Sequence, residues 1–260
     1  MDNQFGKVSK LSLTAARKDE KTILEDVSFT APFKVMQPFY EKKGVMTVMA
    51  LVASAGIMSG DRQEFTMHVK SGANMEFVSQ AYEKIHKMPD GHAERSAVLT
   101  VDPHACLHYT PLPTIPYADS DYRSLLTVHL ADETSRFLYS EVLSCGRVAR
   151  DELFEYRRFQ NQVRIFQGEQ IVYYDNTRYE PDRTDLRGIG MYEGFTHLAN
   201  LLICNEEKSD DWIRSVREEM DADERMEGGV TRTVQGHVCV RILGHSGQQL
   251  TDYLKHCIEK

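Results

Sequence analysis

The stretch Phe137-Leu-Tyr-Ser-Glu-Val-Leu-Ser-Cys-Gly-Arg-Val-Ala-Arg-Asp-Glu-Leu-Phe-Glu-Tyr156 joins an apolar run to a charged turn. Residues 137–143 are rich in aromatic and branched side chains and predict a strand, with Glu141 inside the apolar run. Gly146 ends this strand, and Arg147 opens a cluster of charges that a solvated turn would also explain. A carboxylate within a buried strand requires a partner, because acids are rarely buried alone.

Short strand patterns recur along most of the chain, separated by turn signals such as Ser71-Gly72 and Asp102-Pro103. Strands this short and this regularly punctuated favour stacked sheets over βαβ units. Besides 137–143, strands are predicted at residues 11–14, 23–33, 46–53, 65–69, 75–79, 97–101, 106–109, 124–130, 153–166, 170–174 and 237–243.

The pattern becomes helical near the C-terminus. Apolar residues between positions 212 and 220 follow helical spacing after a capping Ser209, with Gly228-Gly229 as the stop signal. Helices are therefore predicted at about 209–224 and 248–258, beside a β-rich body at about 1–205. The predicted fold class is mostly β (α+β), with stacked β-sheets or β-helical-like layers and two helices, in a single domain over 1–260.

Composition restricts the kinds of partner. A net charge of −8 argues against nucleic acid and favours cations or basic protein surfaces. The five cysteines form no Cys-x-x-Cys pair, which fits a reducing compartment. The N-terminus lacks the order of a signal peptide, and the longest apolar-leaning run, 45–58, is too short to cross a bilayer. We therefore expect a cytoplasmic protein without a membrane partner.

Two motifs outside residues 137–156 carry candidate functional residues. In Ala55-Gly-Ile-Met-Ser-Gly-Asp61, Gly56 and Gly60 permit a tight backbone, and Asp61 is either a turn cap or a functional acid. The motif lacks the Gly-Lys-Ser/Thr ending of a phosphate loop. In residues 79–87, Gln80 and Lys84 lie close together, which a polar strand end would also explain.

Three potential metal ligands alternate along the chain. On a strand, His104, Cys106 and His108 would share one face and could bind nickel or zinc. A metal-storing or metal-sensing β protein is therefore one alternative function, although a buried free cysteine is the simpler explanation of Cys106. A second alternative is a carboxylate-dependent hydrolase that uses Asp61 and Glu141.

Six blocks of sequence, taken in order, resemble one protein family across nearly the whole chain. This family is the urease accessory proteins called UreD, or UreH in Helicobacter. Ala55 and Ser59 stand where many members have glycine. The blocks lie at residues 55–61, 79–86, 111–116, 141–152, 171–176 and 194–197.

The resemblance implies a non-enzymatic scaffold without catalytic residues. Such a scaffold binds a UreF-like accessory protein, reaches the GTPase UreG indirectly, and docks on the urease apoprotein in an assembly of 2:2 or higher stoichiometry. It implies no tightly bound cofactor, only transient Ni²⁺.

The resemblance also implies an internal water-filled passage for nickel. By matching motif positions, Asp61, Glu141 and Asp175 are the acids expected along it, and Arg147 is a candidate ion-pair partner of Glu141 or Asp61. Carboxylates and water suit a conduit, because the ion must be attracted and then released.

Overall fold

The structure, a computed structural model, describes residues 8–42 and 44–260, so the N-terminal segment that lacks a signal-peptide pattern lies largely outside the described residues. The described part contains seventeen strands and two α-helices. The strands are β1 (Val8–Lys18), β2 (Lys21–Phe29), β3 (Phe33–Val35), β4 (Met46–Val52), β5 (Arg62–Val69), β6 (Asn74–Gln80), β7 (Glu83–Ile85), β8 (Ala93–Val101), β9 (Cys106–Thr110), β10 (Thr114–Pro116), β11 (Asp121–Leu130), β12 (Arg136–Ser144), β13 (Arg158–Gln167), β14 (Gln170–Tyr179), β15 (His197–Cys204), β16 (Met226–Arg232) and β17 (Val238–Gly244).

The strands form two stacked sheets. The first sheet has the order β14-β13-β11-β8-β5-β1-β2, and the second has the order β16-β17-β15-β12-β9-β6-β4-β3, with β10 paired to β12 and β7 paired to β10. From β4 to β13 the longer strands alternate between the two sheets, so two successive strands make one turn of a coil. Each of these strands pairs in parallel with the strand that follows it in the same sheet, one turn later. This coil confirms the predicted mostly-β class with β-helical-like layers.

Alternating side chains build the core between the two sheets. In β5, Phe65, Met67 and Val69 are buried while their neighbours face outward. They pack with residues such as Phe77 of β6 and Leu99 of β8 in one continuous cluster. The period-2 pattern of the sequence therefore determines which face of each strand enters the core.

Two helices cover the outer face of the second sheet. Helix α1 (Asp210–Asp221) and helix α2 (Gly247–Glu259) confirm the predicted helices, and Ser209 caps α1 by accepting a hydrogen bond from the Trp212 N–H at 3.1 Å. The predicted stop at Gly228-Gly229 is wrong. The helix ends earlier because the chain turns back at residues 222–225, and the two glycines lie in β16, where their backbone pairs with β17.

The sequence prediction lacks strands β7, β10, β15 and β16, most of its strands are shorter than the observed ones, and two have bounds that change their place in the fold. The prediction at 23–33 merges β2 and β3, which belong to different sheets on either side of Pro32. The prediction at 153–166 starts five residues too early, because residues 147–157 form a packed corner in which the Phe154 N–H bonds to the Cys145 carbonyl oxygen. Neither helix of the described chain is long and apolar enough to cross a membrane.

Candidate functional site

Glu141 lies between the sheets and is surrounded by hydrogen-bond donors. It faces inward from β12, in phase with Phe137 and Tyr139. Its carboxylate accepts hydrogen bonds from the Tyr139 hydroxyl at 2.7 Å, from the Asn161 amide of β13 at 2.6 Å and from the Asn200 amide of β15 at 2.8 Å. The acid within the apolar strand is therefore satisfied by side chains of both sheets.

The hydrogen bonds continue from Glu141 to the surface. The Asn200 side-chain oxygen accepts a hydrogen bond from Arg241 Nε of β17 at 2.8 Å, and the same guanidinium binds the Asp175 carboxylate of β14. The Asp175 side chain is 22% exposed and that of Arg241 is 50% exposed. We call the group Tyr139, Glu141, Asn161, Asn200, Arg241 and Asp175 the inter-sheet network.

Burial controls the protonation of Glu141. Loss of hydration raises its pKa, which the hydrogen bonds from Tyr139 and Asn200 oppose and the nearby charge of Asp175 reinforces. The pKa of the Tyr139 hydroxyl is raised well above its usual value, first by burial and then by the charge of Glu141. The centre of the network is therefore a desolvated acid that retains its proton more readily than an exposed glutamate.

A cavity of about 50 Å³ adjoins the network between the sheets, with Glu141 and Asn161 in its wall. Arg95 of β8 and Glu83 of β7 also line it and pair across the sheets, with Arg95 Nη1 2.7 Å from a Glu83 carboxylate oxygen. The buried Tyr122 hydroxyl has no hydrogen-bond partner in the described structure and lines the same cavity. The space is larger than one water molecule needs.

Sequence reasoning missed six residues of the network and of the adjoining ion pair: Glu83, Arg95, Tyr139, Asn161, Asn200 and Arg241. A signal existed for Asn200, because it interrupts the apolar run of β15 as Glu141 interrupts that of β12. Arg241 likewise interrupts the apolar run of β17, whereas Glu83, Arg95 and Asn161 lie in mixed polar stretches in which no local pattern distinguishes an inward residue from a solvated one.

Asp61 lies outside the inter-sheet network. Its carboxylate accepts a hydrogen bond from the Met58 N–H at 2.8 Å, and its carbonyl oxygen accepts one from the Glu94 N–H at 2.9 Å. These contacts are those of a residue that caps a turn, which is the alternative to a functional role for Asp61. Of the three acids expected along the passage, the structure brings Glu141 and Asp175 into one network and leaves Asp61 in a turn before β5.

The predicted supporting residues around this turn have structural contacts. The Ile57 N–H bonds to the Lys84 carbonyl oxygen at 2.8 Å, and a Cβ on Gly56, which has φ of +147°, would overlap that oxygen. Gly60 donates its N–H to the carbonyl oxygen of His92 at 3.1 Å. Gln80 is exposed at the end of β6 and lines a separate cavity of about 480 Å³ beside α2.

Arg147 does not pair with Glu141 or Asp61, so that prediction is wrong. Its guanidinium binds the Glu152 carboxylate, with Nε 3.0 Å from both oxygens, and lies 4.2 Å from the centre of the Tyr117 ring. The cause is the turn at Gly146, which has φ of +149° and directs the chain away from the inward face of β12. Gly146 thus ends the strand as predicted.

The alternating ligands His104, Cys106 and His108 do not form a metal site. His104 has φ of +59° in the turn before β9, so the expectation that one strand face carries all three side chains is wrong. Burial raises the pKa of the Cys106 thiol to about 11, which disfavours the thiolate that binds metals. Across residues 8–42 and 44–260, no three His, Cys, Asp or Glu side chains are placed to share a metal ion.

These features define a class: a two-sheet coiled β protein with a polar network that runs from between its sheets to the surface. The chain matches the UreD urease accessory protein family over residues 7–260. The chain therefore belongs to this family, whose members are maturation factors and not enzymes, and it has a role in urease maturation. The resemblance and the non-enzymatic class are confirmed, and the hydrolase alternative is wrong.

Individual relatives align over most of their length. The chain is 39% identical to the urease accessory protein UreD of Acetivibrio thermocellus over 256 residues, which cover 98% of this chain and 97% of the relative. It is 36% identical to a urease accessory protein UreH of Helicobacter pylori over 249 residues, or 95% and 92% of the two chains. Identity to the urease accessory protein UreD of Flavobacterium johnsoniae is 27%, over 94% and 88% of the two chains.

Proposed function

We propose that the chain is a scaffold that links a UreF-like protein, and through it the GTPase UreG, to the urease apoprotein, and that nickel passes through its interior. The observation that carries the nickel part is the inter-sheet network, which leads from the Arg241–Asp175 pair at the surface to the part-buried Glu141 between the sheets. A purely structural core would more commonly fill this space with apolar side chains, because buried charges are costly unless they are paired.

The ligand chemistry of the network suits transit. Carboxylate and amide oxygens hold a divalent ion of this kind less firmly than thiolates and imidazoles do. A conduit needs sites that attract the ion and release it again. Asp175, at the surface end, would collect cations, and Glu141, beside the inter-sheet cavity, would receive them. Nickel is therefore cargo and not a resident cofactor.

The linking role is the second part of the proposal. Family membership supports action beside other urease accessory proteins and urease. We propose a 2:2 or higher assembly in the cytoplasm, in which this chain lies between the UreF-like protein and urease. Co-purification of the tagged chain with co-expressed accessory proteins and urease subunits tests the linking role independently of nickel.

Urease activation tests the passage. The variant Glu141→Gln keeps the size of the side chain and removes its charge, so we expect unchanged co-purification of the partners and at least tenfold lower urease activity at limiting nickel. Asp175→Asn is expected to act in the same direction, and Asp211→Asn, on an 86% exposed side chain of α1, is the matched control. Full activation by Glu141→Gln would refute the passage.

Asp61 requires a separate comparison because of its position in the turn. Its role in the passage stays a prediction, and Asp61→Ala tests it. Loss of activation together with a lower melting temperature would indicate the capping role, whereas loss of activation at unchanged thermal stability would extend the passage to this turn.

A further inference from the structure

We propose that Arg241 is a latch at the mouth of the passage, in which its guanidinium occupies the position that a divalent cation takes when it enters. This inference rests on the proposed nickel passage and names the residue that regulates its entrance. Arg241 holds two oxygens at once, one of the Asp175 carboxylate and the side-chain oxygen of Asn200. These oxygen types are also ligands for a divalent cation.

The position of Arg241 makes it an entrance residue. Asp175 belongs to β14, an edge strand of the first sheet, and Arg241 belongs to β17 of the second sheet. Their ion pair therefore closes the gap between the sheets on this side. Asn200 lies directly behind the pair and also donates to Glu141 at 2.8 Å, so an ion that replaced the guanidinium would be one side chain away from the buried acid.

The pair is also weak enough to open. The Arg241 side chain is 50% exposed, and ion pairs that water reaches contribute little to stability. Rotation of the long Arg241 side chain into solvent would free both oxygens without disturbing the backbone pairing of β15 with β17. Tyr122, a buried residue whose hydroxyl has no hydrogen-bond partner among the described residues, also lines the cavity beside Glu141 and adds a polar group to its wall.

The latch predicts competition between Arg241 and metal. In the full-length chain, NiCl₂ titrated by calorimetry should bind Arg241→Gln about threefold to fivefold more tightly than the native protein, because a competing cation has been removed. Adding Asp175→Asn to Arg241→Gln should abolish the gain. Arg241→Lys keeps the charge but loses the planar fork that spans both oxygens, and we expect about a twofold gain.

Arg178→Gln is the matched control. Arg178 lies on β14, the strand that carries Asp175. Its side chain is 47% exposed, and its ion-pair partner is Glu180 rather than Asp175. Its removal changes the net charge by the same amount, so a latch at Arg241 predicts native nickel affinity for Arg178→Gln. Equal tightening in both variants, or no tightening in Arg241→Gln, overturns the latch. Should Arg241→Gln fail to fold, the titration of Arg241→Lys decides, and unchanged affinity there overturns the latch.

The titration contains no urease, which separates this inference from the proposed function. Unchanged nickel affinity in Arg241→Gln would refute the latch at Arg241, even if Glu141→Gln fails to activate urease. Tightened binding in Arg241→Gln together with full activation by Glu141→Gln would instead confirm a cation site at Asp175 and refute the passage beyond it.

Discussion

The Asn161 side chain of β13 donates a hydrogen bond to the Glu141 carboxylate of β12 over 2.6 Å, and this contact joins the two sheets. Asn161 is only 6% exposed, and the same amide also lies 3.1 Å from the Tyr139 hydroxyl. The carboxylate is therefore held in one position by donors that cannot easily turn to water. A fixed, desolvated acid of this kind should have measurable effects on stability and on its pH dependence.

Glu141 should make stability depend on pH. Burial raises its pKa in the folded state, so between the unfolded and folded pKa values the folded protein binds more protons and its stability falls as pH rises. Relative to Glu141→Gln, which does not titrate, the native chain should gain unfolding free energy as pH falls through the folded-state pKa towards the ordinary value of 4.5, by at most about 1.4 kcal/mol per pH unit. Urea denaturation at several pH values measures this. Parallel profiles for the two proteins would contradict it.

The buried Arg95–Glu83 pair should show strong coupling. The two side chains are 11% and 18% exposed, and Arg95 also contacts the Gln63 side-chain oxygen at 2.9 Å. Arg95→Met leaves Glu83 as an unpaired buried charge, and we expect a loss of about 3 to 5 kcal/mol of unfolding free energy. Adding Glu83→Gln should recover much of it. Strictly additive losses in this double-mutant cycle would show that the two side chains are not coupled.

Gly56 should be intolerant of a side chain. Alanine would require an unfavourable backbone conformation and would overlap the Lys84 carbonyl oxygen, so we expect Gly56→Ala to lose about 2 kcal/mol or more of unfolding free energy. Gly229→Ala is the control, because a Cβ there meets no atom within 4 Å, and it should be neutral or stabilising by about 0.5 kcal/mol. Thermal denaturation distinguishes them, and equal melting temperatures would exclude the close packing at Gly56.

The N-terminal cap of α1 should contribute measurably to the free energy of unfolding. Ser209→Ala removes the acceptor of the Trp212 N–H and is expected to lower the unfolding free energy by about 1 kcal/mol. Ser209→Asp retains an acceptor at the same position and should restore stability. If the aspartate variant is as unstable as the alanine variant, the hydroxyl has a role other than capping.

Local patterns predicted much of the fold. The aromatic and branched residues of 137–143 identified β12 and marked Glu141 as an unusual acid in an apolar run, and helical spacing with a capping serine located α1. The errors occurred where individual hydrogen bonds and ion pairs, and not a periodic pattern, decide the conformation. The corner before β13 depends on the bond between Phe154 and Cys145 and on the ion pair of Arg147 with Glu152, which no periodicity indicates.

The sequence by itself indicated most of the strands, the two helices and the family, and the family resemblance marked Glu141 and Asp175 among three candidate acids. Only the tertiary structure decided that Glu141 and Asp175 share that network, that Asp61 does not, and that Arg241 joins them. The physical reason is distance along the chain. Glu141 and Asn200 are 59 positions apart, and Asp175 and Arg241 are 66 apart, so their contacts arise from the antiparallel pairing of β12 with β15 and from the stacking of the two sheets, and from no local pattern.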